Sequence, residues 1–243
     1  MRRTNCSIAL GLALSLTLFA PGIASANRDF DDDLPPNTGG RSGGSRGCSS
    51  EVAVASTVPA LILLAPARSS SPTISTHPTF AWFVRDAGSW PMEFRLYEYD
   101  RTSLETTLVA EITDEEFKSA QGIMTLSLSE ELPPLTVGRQ YLWQVELLCD
   151  RHRPSGNPFA DAEIEVIDPP PMLDTQLVEA KDEFDRATVY EENDLWYEAL
   201  ATVLGDGSNT QMARLRSALF ERVTLGELES EQFHQSRIHH IQR

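Results

Sequence analysis

The sequence predicts an α+β protein in two parts, an antiparallel β-sandwich followed by a C-terminal α-helical hairpin or three-helix segment. Two observations lead to this prediction. Between residues 48 and 168, short runs rich in β-branched and aromatic residues alternate with turn residues, which is typical of a sandwich. After three consecutive prolines at 169–171, apolar residues recur every three or four positions, which indicates amphipathic helices.

Composition narrows the functional class before any motif is considered. The 243 residues include 20 Lys+Arg and 36 Asp+Glu, which gives a formal net charge of -16. Mean hydropathy is -0.26, and this value excludes a polytopic membrane protein. A chain this acidic lacks the clustered basic side chains that a nucleic-acid-binding surface needs, so we expect no nucleic acid partner and no stable membrane insertion.

The first 26 residues have the layout of a secretory signal peptide. Arg2 and Arg3 precede an apolar core over residues 8–20, and Ala24-Ser25-Ala26 offers a small-x-small cleavage site. We therefore expect cleavage after Ala26 and a mature protein in the periplasm or outside the cell. A retained membrane anchor is the less favoured alternative, because a spanning helix needs about 20 apolar residues.

The cysteine count agrees with export. Cys6 leaves with the signal peptide, and Cys48 and Cys149 remain. A single pair in an exported protein predicts a disulfide, and closing a loop this long stabilises the fold by about 4–5 kcal/mol in the chain-entropy model. Two unrelated buried thiols are the alternative. In either case both cysteines are structural rather than catalytic.

Residues 27–47 are predicted to be a disordered linker. The stretch opens on an acidic run, passes through Pro35-Pro36 and ends in Gly, Ser and Arg. It has no apolar periodicity that would offset the entropy of ordering it. Adjacent aspartates suggest calcium, but the central Gly and closing Glu of an EF-hand loop do not follow.

Seven strands are predicted in the sandwich domain, residues 48–168. Several of them alternate strictly, so that one face of each is buried and the other is in contact with solvent. The predicted strands are Ala60–Leu64, Phe80–Val84, Met92–Tyr99, Thr107–Ile112, Ile123–Leu128, Tyr141–Leu148 and Ala162–Ile167.

The segment that enters the sixth strand resembles a corner found in immunoglobulin-like and fibronectin-type sandwiches. It runs Leu135-Thr136-Val137-Gly138-x-x-Tyr141-x-Trp143. The resemblance implies that the Tyr141 hydroxyl bonds back to the loop backbone. It also implies that the sixth strand ends where the first begins, which would bring Cys149 to Cys48. This pairing differs from the inter-sheet bridge of antibody domains.

Beyond the proline linker at 169–171, residues 172–225 are predicted to be helical. An apolar stripe from Leu173 to Ala187 marks a first helix, Leu195–Leu204 a second, and a third runs from Asn209 or Thr210 to about Val223. The remaining residues, 226–243, are predicted to be a frayed polar tail.

The turn between the first two helices resembles that of one tetratricopeptide-type hairpin. It reads Ala187-x-x-Tyr190-x-x-Asn193-x-x-Trp196-Tyr197. Such repeats normally stack three or more, so a simple hairpin packed on the sandwich is the favoured alternative. In the first interpretation, Trp196 and Tyr197 form a possible interaction surface.

Taken in order, several landmarks resemble the cyanobacterial family known as domain of unknown function 928. They are the Gly/Ser/Arg run that ends at Cys48, the strand from His77-Pro78 to Phe83, the Gly122-Ile123 strand start, the Val137-Gly138-x-x-Tyr141-x-Trp143 strand that ends at Cys149, and the Tyr190-to-Leu200 segment. Asp194 stands where the pattern suggests Gly. The resemblance implies cyanobacterial export and this two-part layout, and it implies no activity and no catalytic residues.

Motifs with known chemistry are missing from the sequence. It contains no Gly-x-Ser-x-Gly, phosphate-binding loop, His-Glu-x-x-His or Cys-x-x-Cys. We predict no catalytic, cofactor-binding or metal-binding residues and no cofactor. His77 and His152 are expected in exposed loops. His234, His239 and His240 are expected in the tail, where ligands would lack preorganisation.

Two functional hypotheses remain. The favoured one is a non-catalytic module of the cell envelope that binds an envelope protein or a glycan, or assists assembly, because sandwich loops and helical hairpins commonly bind such partners. The alternative is an envelope-polymer hydrolase, which needs two acids facing each other across a cleft. The acid pairs in the sequence, such as Glu130-Glu131, are adjacent and typical of surface charge.

Overall fold

The computed structural model describes residues 40–42, 47–48, 58–66, 70–100, 103, 105–150, 152–205 and 209–242. These residues form nine strands and five α-helices, with the helices near the C-terminus. The strands are β1 (Leu61–Leu63), β2 (Ser71–Thr73), β3 (Thr79–Val84), β4 (Met92–Asp100), β5 (Glu105–Ile112), β6 (Gly122–Ser127), β7 (Gln140–Leu147), β8 (Phe159–Val166) and β9 (Ile238–Gln242).

The strands form two sheets that pack face to face. One sheet has the order β1-β3-β6-β9 and the other the order β2-β8-β7-β4-β5. Between them, the Phe80 ring of β3 lies 5.1 Å from the ring of Phe94 and 4.9 Å from that of Trp143. The prediction of an entirely antiparallel sandwich is wrong, because β2 pairs with β8 and β9 with β6 in parallel.

All seven predicted strands are present, within three residues at each end. Alternation is clearest in β4, where Met92, Phe94 and Leu96 are buried between half-buried neighbours. The Tyr141 hydroxyl accepts a hydrogen bond from the Thr136 backbone N–H at 2.8 Å, as the resemblance to sandwich corners implies. The sequence did not reveal β2, which is only three residues long, or β9.

The helices are α1 (Leu173–Glu179), α2 (Glu183–Glu192), α3 (Trp196–Leu204), α4 (Thr210–Val223) and α5 (Glu227–Gln235). The single helix predicted from Leu173 to Ala187 is two helices. The chain is extended at Ala180, and Asp182 caps the second helix by accepting a hydrogen bond from the Asp185 N–H at 2.9 Å. A local capping residue therefore interrupts an apolar stripe that would otherwise continue.

The C-terminal residues are ordered, so the prediction of a frayed polar tail is wrong for 226–242. The α5 helix packs through Phe233, whose ring lies 4.8 Å from that of Phe83 and 5.4 Å from that of Phe220. The chain then enters β9, where Ile238 and Ile241 pack against the core. These apolar contacts, together with parallel pairing to β6, offset the entropy of ordering a polar segment.

The folded unit also begins earlier than predicted. Residues 40–42 fall within the expected linker, yet Gly40 accepts a hydrogen bond from the Leu63 N–H at 2.7 Å and Arg41 forms a β-bridge with Ile62. The Arg41 side chain forms an ion pair with Glu229 of α5. The rest of the expected linker lies outside the described residues, apart from Gly47.

No helix in the described part of the chain combines the length and apolar character needed to cross a membrane.

Candidate functional site

Trp196 and Tyr197 are buried, so the prediction that they form an interaction surface is wrong. Only 3% of Trp196 and 2% of Tyr197 remain exposed. Both lie in the first turn of α3, which packs on the sandwich through contacts with β2 and β3. The favoured alternative, a helical hairpin packed on the sandwich, agrees with this arrangement.

The polar atoms of both aromatic side chains form hydrogen bonds inside the core. The Trp143 indole N–H donates to the Tyr197 hydroxyl at 2.9 Å, and the Trp196 indole N–H donates to the Leu64 carbonyl at 2.8 Å. Burial raises the pKa of the Tyr197 hydroxyl far above its ordinary range. These hydrogen bonds satisfy polar groups that are costly to bury alone, so both side chains serve to dock the helices.

Glu198, the next residue on α3, also connects the helices to the sandwich. One of its carboxylate oxygens accepts hydrogen bonds from the Thr73 hydroxyl at 2.5 Å, the Ile74 N–H at 2.8 Å and the Ser75 N–H at 3.1 Å. A cavity of about 200 Å³ adjoins this joint. With three donors on one oxygen, Glu198 fixes the position of α3 on the β2 edge of the sheet.

The predicted disulfide is present. Cys48 and Cys149 are bonded, with 4.9 Å between their Cα atoms, and close a loop of sequence separation 101. Cys149 follows β7, and its backbone N–H donates to the Asn157 side chain at 3.1 Å. The bridge therefore fixes the N-terminal segment at one end of the five-stranded sheet. The predicted cleavage site at Ala26 lies outside the described residues.

A different site emerges at one end of the four-stranded sheet, where β3 ends and β6 begins. There the turn from α5 into β9 encloses a cleft of about 570 Å³, which we call the polar cleft. Its lining side chains comprise three amides, two guanidinium groups, one hydroxyl, one imidazole and one phenyl ring. The polar cleft is lined by Phe83, Arg85, Gln121, Gly122, Gln232, Gln235, Ser236, Arg237 and His239.

The backbone holds the walls of the polar cleft in close contact. The Ile123 N–H donates to the Arg237 carbonyl at 2.9 Å, which starts the pairing of β6 with β9. At Gly122 the backbone has φ +116, and a Cβ there would lie 2.5 Å from the same carbonyl oxygen. Only glycine permits this conformation and this approach without strain, so Gly122 sets the spacing between the two walls.

Hydrogen bonds fix several side chains of the cleft. The buried Arg85 donates to Asp86 and to the Val58 carbonyl, both at 2.6 Å. Gln121 donates its side-chain amide to the Arg85 carbonyl at 3.0 Å, and the His239 Nε2–H donates to the Gln121 carbonyl at 3.1 Å. The cleft is therefore preorganised on its β3 and β6 side.

Arg237 differs from these residues. Its side chain is exposed at the mouth of the cleft, and it has no ion pair or hydrogen bond within the described part of the chain. Its backbone carbonyl accepts a hydrogen bond from the Ile123 N–H, so the base of the side chain is held while the guanidinium group remains available to a ligand.

The histidines occupy separate places. His77 is held through the Leu132 carbonyl at 3.0 Å, and His152 is exposed. His234 contacts the Ser217 hydroxyl at 2.7 Å, and His240 contacts that of Thr125 at 2.9 Å. Across the described residues, no group of three or more His, Cys, Asp or Glu side chains is arranged to hold a metal ion.

Sequence reasoning missed the polar cleft because half of its wall belongs to the segment predicted to be a frayed tail. Gln232, Gln235 and Arg237 carry no recognisable motif. The only available signal was Phe233, a large apolar residue within a polar stretch. Such a residue requires burial, and here its burial brings α5 against the sheet.

Comparisons with known proteins give one clear result. No curated protein matches the chain. One solved structure, described as that of Astrotactin-2, a conserved vertebrate-specific and perforin-like membrane protein involved in neuronal development, is similar with 12% identity and a TM-score of 0.27. The match covers 78% of this chain but only 39% of that one, and a TM-score this low supports no argument. The family model described as Domain of Unknown Function (DUF928) matches residues 41–233, and the chain belongs to that family.

Proposed function

We propose that this protein is an exported, non-catalytic binding module of the cell envelope, and that its ligand is a saccharide bound in the polar cleft. The observation that carries the proposal is the composition of the cleft wall. Amide, guanidinium, imidazole and hydroxyl groups from β3, β6, α5 and β9 converge on one opening. Polar groups placed around a concavity fix the orientation of a small ligand and provide specificity.

A saccharide fits this wall better than an apolar ligand does. Each hydroxyl of a sugar both donates and accepts hydrogen bonds, and amide side chains such as Gln235 offer both functions. The cleft volume of about 570 Å³ lies within the range of about 300–1,000 Å³ that small-ligand sites occupy.

Export and the type of sandwich belong to the same proposal. The disulfide between Cys48 and Cys149 supports an oxidising location. The Thr136–Tyr141 hydrogen bond and the β8-β7-β4-β5 order of one sheet support an immunoglobulin- or fibronectin-like sandwich in which β9 extends the other sheet. Folds of this type often serve as extracellular binding scaffolds.

A glycan array probed with the oxidised mature chain, residues 27–243, tests the proposal. We expect selective binding to a small set of envelope-type saccharides. Gln235→Ala should weaken that binding, because it removes an amide from the cleft wall. Gln211→Ala, an exposed glutamine on α4 outside the cleft, is the matched control and should leave binding unchanged.

Two results would redirect the proposal. If no saccharide binds, and crosslinking in cells captures one reproducible envelope protein, the module binds a protein instead. If a bound saccharide is cut and new reducing ends accumulate, the hydrolase hypothesis replaces the binding module. The cleft offers little for hydrolysis, since its described wall contains no carboxylate and glycosidases normally use two.

A further inference from the structure

We infer that the polar cleft selects an acidic saccharide, and that Arg237 is the specificity-determining residue that binds its carboxylate. This inference rests on the proposed function and adds the chemical class of the ligand. The sign of the charge in the cleft, the freedom of one guanidinium group and the fixed geometry around it each contribute to the argument.

The charged side chains that line the cleft are positive, whereas the chain as a whole is negative. Acidic residues outnumber basic ones by 36 to 20 in the whole sequence. The described wall of the polar cleft nevertheless contains Arg85 and Arg237 and no aspartate or glutamate. Asp86 lies behind Arg85 and pairs with it. Because Asp86 offsets the charge of Arg85, the positive charge that an approaching anion meets at the cleft is that of Arg237.

The two arginines differ in their availability. Arg85 is buried, and its guanidinium group is engaged by Asp86 and by the Val58 carbonyl. Arg237 is exposed, and none of its guanidinium donors has a partner within the described ranges. A guanidinium group binds a carboxylate through two parallel hydrogen bonds. Arg85 therefore shapes the floor of the cleft, and Arg237 is free to bind the ligand.

The base of the Arg237 side chain is well placed for this role. Its carbonyl is bonded to the Ile123 N–H at 2.9 Å, and Ser236 before it donates its hydroxyl to the Gln232 carbonyl at 2.6 Å. Two hydrogen bonds therefore hold the short turn between α5 and β9. A fixed anchor reduces the entropy lost when the side chain closes on a ligand, and neighbouring amides can bind the sugar hydroxyls.

The test compares one probe with its uncharged counterpart. The oxidised mature chain is titrated with trigalacturonate and with its methyl ester by calorimetry, at low salt and neutral pH. We expect trigalacturonate to bind at least about tenfold more tightly than the ester, a difference of about 1.4 kcal/mol, because a bidentate pair of guanidinium and carboxylate is stronger than hydrogen bonds between neutral groups. Arg237→Gln should remove this preference, while Arg237→Lys should restore part of it.

Arg214→Gln provides the matched control. Arg214 is exposed on α4, outside the cleft and with no partner in the described part of the chain. Its substitution changes the net charge by the same amount, so it should leave the preference intact. If both arginine variants lower affinity equally, the effect is one of net charge and the inference is wrong.

The remaining outcomes separate the inference from the proposed function. If trigalacturonate and its ester bind equally, the carboxylate is not recognised and the inference fails, although saccharide binding stands. If neither probe binds while the glycan array shows a neutral saccharide ligand, the inference again fails and the proposed function survives. If neither probe binds and the array is blank, both fail.

Discussion

Replacing Tyr197 by phenylalanine tests how the helices are held on the sandwich. The substitution keeps the ring and removes the hydroxyl that accepts the Trp143 indole N–H at 2.9 Å. Trp143 is fully buried, so its indole N–H would lose its hydrogen-bond partner inside the core. A buried donor left without a partner costs about 1–3 kcal/mol, and we expect the free energy of unfolding to fall by that amount.

Chemical denaturation, followed by near- and far-ultraviolet circular dichroism, measures the free energy of unfolding. In a chain of this size, the expected loss corresponds to a Tm lower by roughly 2–12 °C. Tyr190→Phe is the matched control. Its hydroxyl has no hydrogen-bond partner in the described residues, and a substitution of that kind usually changes stability by less than about 0.5 kcal/mol. Equal effects of the two substitutions would refute the docking role of Tyr197.

Tyr197 should also make the free energy of unfolding depend on pH in the alkaline range. Burial raises the pKa of Tyr197 in the folded state, whereas in the unfolded chain it is about 10. Above that pH unfolding releases the proton, so the free energy of unfolding falls by about 1.4 kcal/mol per pH unit, and below it the contribution is constant. Tyr197→Phe should therefore lose less stability than the parent protein as the pH rises above about 10.

Three further predictions concern other parts of the chain. Reducing the Cys48–Cys149 disulfide should lower the free energy of unfolding by about 4–5 kcal/mol in the chain-entropy model. This loss corresponds to a fall in Tm of roughly 10–20 °C. An unchanged Tm in reductant would contradict the prediction. Gly122→Ala should lower the free energy of unfolding by about 1–3 kcal/mol, because the added Cβ and the positive φ of the alanine are both strained. The substitution should also speed amide hydrogen exchange in β9. Unchanged protection in β9 would show that this strand does not depend on the close approach at Gly122. Terminal sequencing of protein recovered from its own cells should begin at Asn27, after cleavage behind Ala26, and an intact N-terminus would refute export by signal cleavage.

The strands of the sandwich could be predicted because their pattern is local. Alternation of Phe94 and Leu96 with Arg95 specifies both the strand and its buried face. Tyr141 and the cysteine pair add long-range information. The tyrosine corner occurs at the turn into one particular strand of a sandwich, and the disulfide requires residues 48 and 149 to lie close together. The parallel partners β2 and β9 lack such signals. Three residues are too few to show a period, and β9 has only two apolar residues, at Ile238 and Ile241.

The candidate site could not be predicted for two reasons. Large amphipathic side chains such as Trp196 and Tyr197 suit an interface as well as a core, and sequence alone does not show that Leu64 and Trp143 supply partners for their polar atoms. The polar cleft depends on where α5 ends relative to β6. That placement follows from the packing of Phe233 against Phe83 and from Gly122, and neither residue shows along the chain which segments it brings together.

The most direct test of the central claim is amide chemical-shift mapping of the isotope-labelled mature chain with the saccharide that binds best on the glycan array. If the saccharide binds in the polar cleft, we expect small shifts near Glu198, where α3 contacts β2. The largest shifts should occur at Gln121, Gln235, Arg237 and His239. Large shifts confined to other surfaces, or no shifts at saturating saccharide, would contradict the assignment of the polar cleft as the ligand site.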